Sequence, residues 1–304
     1  MSERSIFLEK LNKVGVYASA TKFERFRIAP LKYILAIVCS KIVARFSNFG
    51  FKLPTKTFFG EKFVILLPSA IDIYLSGGKT HCSEIRLAKY LILNLKSTSV
   101  FLDIGAHFGY FTLLASRIAN AGKSISIEPS STAFEILKEN TSCFSNIIIR
   151  NIALSSENLS TEFYEFPPLY SEFNTLSSDQ YLYEEWFNNK NVKTSLVSCM
   201  SGDSFLSEIN IKPDVIKIDV EGAEDKVILG LQKFLTTNSP SIIMEFSHSE
   251  RGNTNHILAD TELRKLGYKA HKIDDDGSLI ILDIPTHNFV DSLKLESDNI
   301  VYKK

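Results

Sequence analysis

Apolar runs alternate with amphipathic segments along the middle of the chain. Residues 100–104 (VFLDI) form a near-continuous apolar run, which is typical of a strand buried on both faces. The elements predicted after it are helices at 111–119 and 132–140 and strands at 124–127 and 147–154. Strands that alternate with helices favour parallel pairing through right-handed crossovers.

The same alternation returns after residue 210. The predicted elements are strands at 214–220 and 240–246 with a helix up to residue 235 between them, a helix at 260–266, and hairpin arms at 269–274 and 279–284. Asp276-Gly277 between the arms is a typical turn pair. The pattern predicts an α/β fold with a doubly wound, mostly parallel, seven-stranded Rossmann-like sheet, an antiparallel C-terminal hairpin and an N-terminal helical extension.

These boundaries divide the chain into three parts. We expect an N-terminal helical extension at 1–56, the sheet domain at 57–290 and a C-terminal tail at 291–304. Within 57–75 the pattern indicates short strands.

The stretch 155–210 is too long for a simple crossover and is predicted to form a substrate-covering insertion. It contains two further predicted strands, at 161–166 and 194–200, around an aromatic loop. Long loops at the carboxyl end of a parallel sheet usually cover a site. The aromatic side chains that would stack on a sugar ring, or pack as a lid, are Tyr164, Tyr170, Phe173, Tyr181, Tyr183 and Trp186.

The segment 31–46 is the most apolar part of the N-terminal region. Leu31, Ile34, Leu35 and Val38 recur at helical spacing, and Lys residues interrupt the run before it reaches the roughly 20 residues of a membrane span. The preferred interpretation is a helix packed on its own domain. Peripheral membrane contact through 31–46 is the alternative, because cations flank the apolar positions.

Composition narrows the function classes. The 304 residues are 44% hydrophobic and 23% charged with a net charge of −1, so a packed globular core is expected and a nucleic-acid partner is not. The N-terminus lacks the apolar core of a secretory signal. The four Cys form no CxxC pair and are expected to be buried, reduced thiols, which favours a cytoplasmic location.

A glycine-lined turn follows the first predicted strand. Asp103 and Gly105 lead to Gly109, where the next helix starts, and Glu128 ends the second strand 25 residues after Asp103. Dinucleotide sites prefer G-x-G-x-x-G, and a carboxylate here would repel a diphosphate. An acid at the end of the second strand accepts ribose hydroxyls. The pattern therefore favours S-adenosylmethionine, whose ammonium and sulfonium are cationic, over NAD.

Carboxylates also end two later strands. Asp219 ends one, Glu221 follows in the turn, Glu245 ends the next strand, and His248 lies on the exit loop. These four are the candidate catalytic residues, since attack by a hydroxyl needs a proton acceptor. The same acids could instead hold the acceptor's hydroxyls or a divalent metal, although no metal site is predicted.

Several stretches resemble the FkbM-type S-adenosylmethionine-dependent methyltransferases. They are FLDIGAHFGYFTLLA (101–115), IEPSSTAFEILKEN (127–140), IALSSE (152–157), DVIKIDVEGAEDKVILG (214–230) and PSIIMEF (240–246). The resemblance covers roughly residues 60–285 and implies a methyltransferase-type sheet and methyl transfer to an oxygen of a sugar, glycan or secondary metabolite. It further implies cofactor contacts from Glu84, Asp103, Gly105, Ala106, His107, Gly109, Tyr110, Glu128, Pro129, Ala153 and Asp219. His107 stands where the family usually has Asn.

Two other functions stay open from the sequence. One is a catalytically silent cofactor-fold protein that serves as a partner or membrane-surface module through its N-terminal region. The other is an NAD-dependent oxidoreductase, which the missing second glycine disfavours. The sequence does not define the oligomeric state.

Overall fold

The computed structural model describes residues 2–46, 50–176 and 192–304. The strands are β1 (Phe51–Lys56), β2 (Lys62–Leu67), β3 (Val100–Ile104), β4 (Lys123–Ile127), β5 (Ile147–Arg150), β6 (Ala153–Ser155), β7 (Leu159–Glu165), β8 (Lys193–Ser201), β9 (Val215–Ile218), β10 (Ser241–Ser247), β11 (Lys269–Ile273), β12 (Leu279–Ile281) and β13 (Ser297–Lys303). The helices before residue 150 are α1 (Glu3–Ser19), α2 (Lys22–Ile28), α3 (Pro30–Phe46), α4 (Ile71–Ser76), α5 (Cys82–Asn94), α6 (Tyr110–Ile118) and α7 (Ser131–Thr141). Those after it are α8 (Gly202–Ile209), α9 (Glu224–Gly230), α10 (Gln232–Thr237), α11 (Thr254–Lys265) and α12 (Thr286–Asp291), with 3₁₀ turns at Pro168–Phe173 and Ser249–Arg251.

The central sheet has the order β12-β11-β13-β10-β9-β3-β4-β5. The five strands from β10 to β5 pair in parallel, β13 runs antiparallel to both β10 and β11, and β12 pairs antiparallel with β11. The predicted doubly wound α/β fold and its C-terminal hairpin are therefore confirmed. The sheet has eight strands where seven were expected, because residues 297–303, which were expected in the tail, add β13 between β10 and β11.

Both faces of the sheet are buried, which explains the continuous apolar runs. Leu102 and Ile216 point into one core, whereas Phe101 and Ile243 point into the other. Side chains alternate across a strand, so each strand feeds both cores. Strand order then fixes which strand ends lie side by side: those of β3, β4, β9 and β10.

Half of the expected C-terminal tail is a strand of the central sheet. Residues Ser297–Lys303 form β13, which lies between β10 and β11 and is almost entirely buried. Its polar residues find partners from distant segments: Asp298 accepts a hydrogen bond from Arg86 at 2.8 Å, and Asn299 donates to Ser83 Oγ at 3.2 Å. Pairing of this kind lets a polar sequence occupy a central strand.

The N-terminal region also differs from its expected boundaries. Its first part is helical as expected, but Phe51–Lys56 forms a strand that pairs with β2, and Ile71–Ser76 is a helix where a strand was expected. The helix α1 is no loose extension, because Phe7 and Leu11 are buried in the same core as the sheet domain. The two strands predicted within the insertion are confirmed and form a three-stranded sheet in the order β6-β8-β7.

Two expectations about exposure are corrected. Leu31, Ile34 and Val38 of α3 are 82%, 49% and 43% exposed, so this apolar stripe does not pack on its own domain. Among the thiols, Cys199 is buried, Cys39 is half-buried, Cys82 and Cys143 are exposed, and all four are free. No helix within the described ranges is long and apolar enough to cross a bilayer.

Candidate active site

The ends of β3, β4, β9 and β10 surround one cavity of about 610 Å³. Polar residues from each of these strand ends line it: Gly105 after β3, Glu128 after β4, Asp219 after β9 and Glu245 on β10. Helix α2 and the 3₁₀ turn Pro168–Phe173 contribute Arg25 and Phe173 from the outside. This is the edge at which open α/β sheets bind ligands.

The turn after β3 is shaped by close backbone contacts. Gly105 has φ +81°, and a Cβ there would lie 1.7 Å from the carbonyl oxygen of Asp219. Both Gly105 N–H and Ala106 N–H donate to the carbonyl of Ile127 at 3.0 Å. Only glycine fits this position, since a side chain would push β3 and β9 apart.

His107 takes the left-handed backbone conformation, with φ +49°. Asn and His are among the few side chains that tolerate this region, which explains how His107 stands where Asn is usual. Burial and the neighbouring Lys79 lower the pKa of His107 to about 3, so the ring is neutral, as an amide would be. Its Nε2 shares a hydrogen bond with Ser171 Oγ at 3.2 Å.

Glu128 is held by backbone donors at the cavity wall. Its two carboxylate oxygens accept from His107 N–H at 2.7 Å and Ser130 N–H at 2.9 Å. Burial raises the pKa of Glu128 to about 7, although these two hydrogen bonds oppose the shift. Each oxygen keeps a second lone pair for a further donor.

The buried Lys217 of β9 forms ion pairs at the centre of the sheet with a carboxylate of the neighbouring strand β3 and with one that follows β9. Lys217 Nζ lies 2.9 Å from Asp219 Oδ2 and 3.8 Å from Asp103 Oδ1. Thr112 Oγ1 donates to the other oxygen of Asp103 at 2.7 Å. Lys217 therefore compensates the charge of carboxylates that the sheet would otherwise bury unpaired.

Three carboxylates form a cluster at the cavity edge. Asp219, Glu221 and Glu245 each offer an oxygen within 4.8 Å of the others. Burial and the charges of Asp219 and Glu221 raise the pKa of Glu245 well above its usual range. Burial would also raise the pKa of Asp219, but Lys217 and a hydrogen bond from Glu245 hold it below its usual range. The two carboxyl groups therefore titrate as a pair in which Asp219 is the more acidic group and Glu245 the less acidic one.

Glu221 adopts φ +52°, a conformation rare for a side chain of its size. Such strain persists only where the surroundings fix it, and it clusters at functional sites. The cluster also has the geometry of a divalent-cation site, although Lys217 already bonds to Asp219.

The model of the FkbM methyltransferase domain matches residues 103–270, more than half of the chain. This chain belongs to the FkbM methyltransferase family. No curated protein sequence matches it.

The fold is also similar to that of several solved structures. An FkbM methyltransferase from Methylobacillus flagellatus is 13% identical with a TM-score of 0.43, and the match covers 77% of this chain and 52% of that one. A precorrin-6y methyltransferase from Geobacter metallireducens is 13% identical (TM-score 0.41; 73% and 87% covered). A fibrillarin pre-rRNA processing protein from Methanococcus jannaschii is 16% identical (TM-score 0.41; 72% and 74% covered). This chain thus spans about half the length of the first of these proteins.

Most of the residues predicted for the site of this FkbM domain line the cavity. They are Glu84, Gly105, His107, Glu128, Pro129, Ala153, Asp219, Glu221 and Glu245. Asp103, Ala106 and Tyr110 lie one layer behind and line a small adjoining cavity of about 40 Å³. Gly109 (φ +87°) caps α6 and lines neither cavity.

His248, which was predicted to be catalytic, lies outside the cavity. It accepts a hydrogen bond from Glu250 N–H and lies 3.8 Å from Asp291. It does not line the cavity of the FkbM domain, because the chain turns away after β10 into a 3₁₀ turn. Among the predicted aromatic side chains, Phe173 lines the cavity, whereas Tyr164 and Tyr170 do not. The others, Tyr181, Tyr183 and Trp186, lie outside the described residues.

The cavity contains a cation that the sequence pattern did not reveal. Lys79 Nζ lies 3.0 Å from Glu84 Oε2. Burial would lower the pKa of Lys79, but Glu84, Glu172 and Asp219 raise it well above its usual range. Nearby Asp72 has its pKa raised to about 6 by burial and by Glu172. No spacing motif marks Lys79, which lies on the loop between α4 and α5, five positions before Glu84 in the first turn of α5.

Proposed function

We propose that this FkbM domain is an S-adenosylmethionine-dependent methyltransferase that methylates a hydroxyl oxygen of a sugar, a glycan or a secondary metabolite. The observation that carries the proposal is the convergence of carboxylates from three strand ends on one cavity. Its volume, about 610 Å³, lies within the roughly 300–1,000 Å³ of small-molecule sites. An acidic lining attracts a cationic ligand, and S-adenosylmethionine carries a sulfonium and an ammonium.

The lining residues fit this cofactor. Glu128 keeps free lone pairs for the two ribose hydroxyls. Gly105 lines the cavity, and Lys79 is a half-buried cation suited to the cofactor's carboxylate. Glu84, His107, Pro129 and Ala153 would complete the contacts. Asp103 would act from behind the loop, by fixing Lys217.

The carboxylate cluster supplies the acceptor side. S-adenosylmethionine, when bound, provides a methyl group that is open to attack by an oxygen nucleophile. Asp219 is ionised beside Lys217, so it accepts a hydrogen bond from an acceptor hydroxyl and then its proton. Glu245, whose pKa is raised by burial and by the charge of Asp219, shares a hydrogen bond with Asp219 and so helps to orient it. Glu221 offers a second acceptor for the substrate's hydroxyls.

Two measurements test the proposal. Calorimetry should detect binding of S-adenosylmethionine, and mass spectrometry with a labelled methyl group should detect its transfer to an oxygen of hydroxylated glycans or metabolites. Absence of binding would refute the cofactor assignment and favour the NAD-dependent alternative if NAD binds instead. Binding without transfer across a broad set of hydroxyl acceptors would favour the catalytically silent alternative.

A further inference from the structure

An apolar surface on α2 and α3 is open to solvent. The α2–α3 face consists of Phe23, Ile28, Leu31, Ile34, Leu35 and Val38, and each of these side chains is exposed by 42% or more. Amphipathic helices in globular domains normally turn such a stripe towards the core. A contiguous exposed apolar patch usually marks an interaction site.

The opposite side of α3 attaches it to the domain. Ala36 is buried there, and Lys32 Nζ donates to the carbonyl of Tyr74 at 3.3 Å while lying 5.2 Å from the centre of the Tyr74 ring. Phe26 of α2 packs edge-on against Tyr33 of α3, with 6.1 Å between the ring centres. These contacts hold α2 and α3 together and fix α3 to the domain by one side, so the apolar α2–α3 face is left exposed to solvent.

The charges near the α2–α3 face indicate the kind of partner that it binds. Residues 22–46 include one acid, Glu24, and six Lys or Arg, of which Arg25 lines the cavity and Lys32 bonds to Tyr74 on the opposite side of α3. Glu24 is occupied at the helix start, where it accepts from Thr21 N–H at 2.7 Å. Lys22 and Arg27 are exposed on α2, and the Arg27 guanidinium lies 6.0 Å from the centre of the Phe23 ring. A two-fold dimer through this face would bring cations against cations, whereas an anionic bilayer offers both an apolar layer and phosphates.

We propose that the α2–α3 face docks on an anionic membrane surface. Its apolar side chains enter the interfacial layer, and Lys22 and Arg27 contact lipid phosphates. Arg25 of the same helix lines the cavity, so the docked protein holds the cavity beside the bilayer. The inference depends on the helices alone and not on the proposed methyl transfer.

Co-sedimentation of the full chain with vesicles tests the docking. We expect binding to vesicles of phosphatidylcholine mixed with phosphatidylserine, weaker binding to phosphatidylcholine alone, and a decrease with added salt. A Leu31→Ser, Ile34→Ser, Val38→Ser variant should lower the partition coefficient more than about tenfold. Its control replaces three leucines that are exposed elsewhere, Leu159→Ser, Leu229→Ser and Leu258→Ser, and should bind as the wild type does.

A charge-reversal variant, Lys22→Glu with Arg27→Glu, provides a second test and changes only exposed side chains. It should lose binding to the anionic vesicles as well. The inference is overturned if the wild type does not bind anionic vesicles, or if either variant binds as well as the wild type. It is equally overturned if vesicles bind no protein and sedimentation velocity shows a dimer that the Leu31→Ser, Ile34→Ser, Val38→Ser variant does not form. Calorimetry with S-adenosylmethionine tests the proposed function independently of vesicle binding, so failure of one proposal can be distinguished from failure of the other.

Discussion

Replacing Lys217 with Met tests the electrostatic centre of the sheet. Lys217 is 3% exposed at its side chain and lies between Asp103 and Asp219, which are also largely buried. Methionine fills a similar volume but has no charge, so Lys217→Met removes the cation and leaves both carboxylates in place. Removing one partner of a buried ion pair costs about 3–5 kcal/mol, because the remaining charge is uncompensated.

The pH dependence of the free energy of unfolding lost in Lys217→Met gives a sharper test than the size of that loss at one pH. Burial raises the pKa of Asp103 even with Lys217 present, and without the cation the pKa of Asp219 should rise as well. A carboxyl whose folded pKa lies above its unfolded pKa favours the folded state at low pH, and this advantage disappears as the pH rises through the folded pKa. The deficit of Lys217→Met relative to the wild type should therefore be largest at neutral pH and shrink in acid.

Urea unfolding followed by circular dichroism measures this deficit. The control is Lys138→Met, an exposed lysine on α7, which should change the free energy of unfolding by less than about 0.5 kcal/mol. Adding Asp103→Asn to Lys217→Met should recover part of the loss. The reasoning is refuted if Lys217→Met costs less than about 1 kcal/mol at neutral pH, or if its cost is the same in acid.

Three further substitutions probe the cavity itself. Gly105→Ala should abolish S-adenosylmethionine binding in calorimetry and lower the melting temperature, because its Cβ would lie 1.7 Å from the Asp219 carbonyl oxygen. The control Gly15→Ala has open space around it and should be tolerated. Equal behaviour of the two variants would contradict this prediction. Affinity of the wild type for the cofactor should rise as pH passes about 7, where Glu128 ionises and accepts ribose hydroxyls better, and Glu128→Gln should bind weakly without that trend. Asp219→Asn should lower the turnover of labelled methyl transfer by about 100-fold or more, and His248→Ala should not; the reverse order would remove Asp219 from its proposed role.

The sequence is most informative where a strand is buried on both faces. β3, β9 and β10 show continuous apolar runs, so their position and parallel pairing could be predicted. Acids placed just after parallel strands lie at the ligand-binding edge, which is why Glu128 after β4 and Asp219 after β9 could be identified.

The sequence is least informative where long-range partners change the meaning of a residue. Asp298 makes β13 look like part of a polar tail until Arg86, 212 positions earlier, is brought within 2.8 Å. Lys79 belongs to no motif, and only the fold brings it near the charges of Glu172 and Asp219. The α3 stripe shows the opposite case, because helical periodicity reveals an amphipathic helix but does not say whether its apolar face points inward or outward.

One contact joins the two halves of the proposed site. Gly105 belongs to the loop proposed to hold the cofactor, and Asp219 belongs to the cluster proposed to hold the acceptor. Their backbones meet so closely that no Cβ fits between them, and Asp219 N–H donates to the carbonyl of Ile104 at 3.0 Å. In-line transfer between two bound molecules is sensitive to errors of about 1 Å. Because β3 and β9 are hydrogen-bonded neighbours, the distance between the two half-sites is set by the sheet and not by flexible loops.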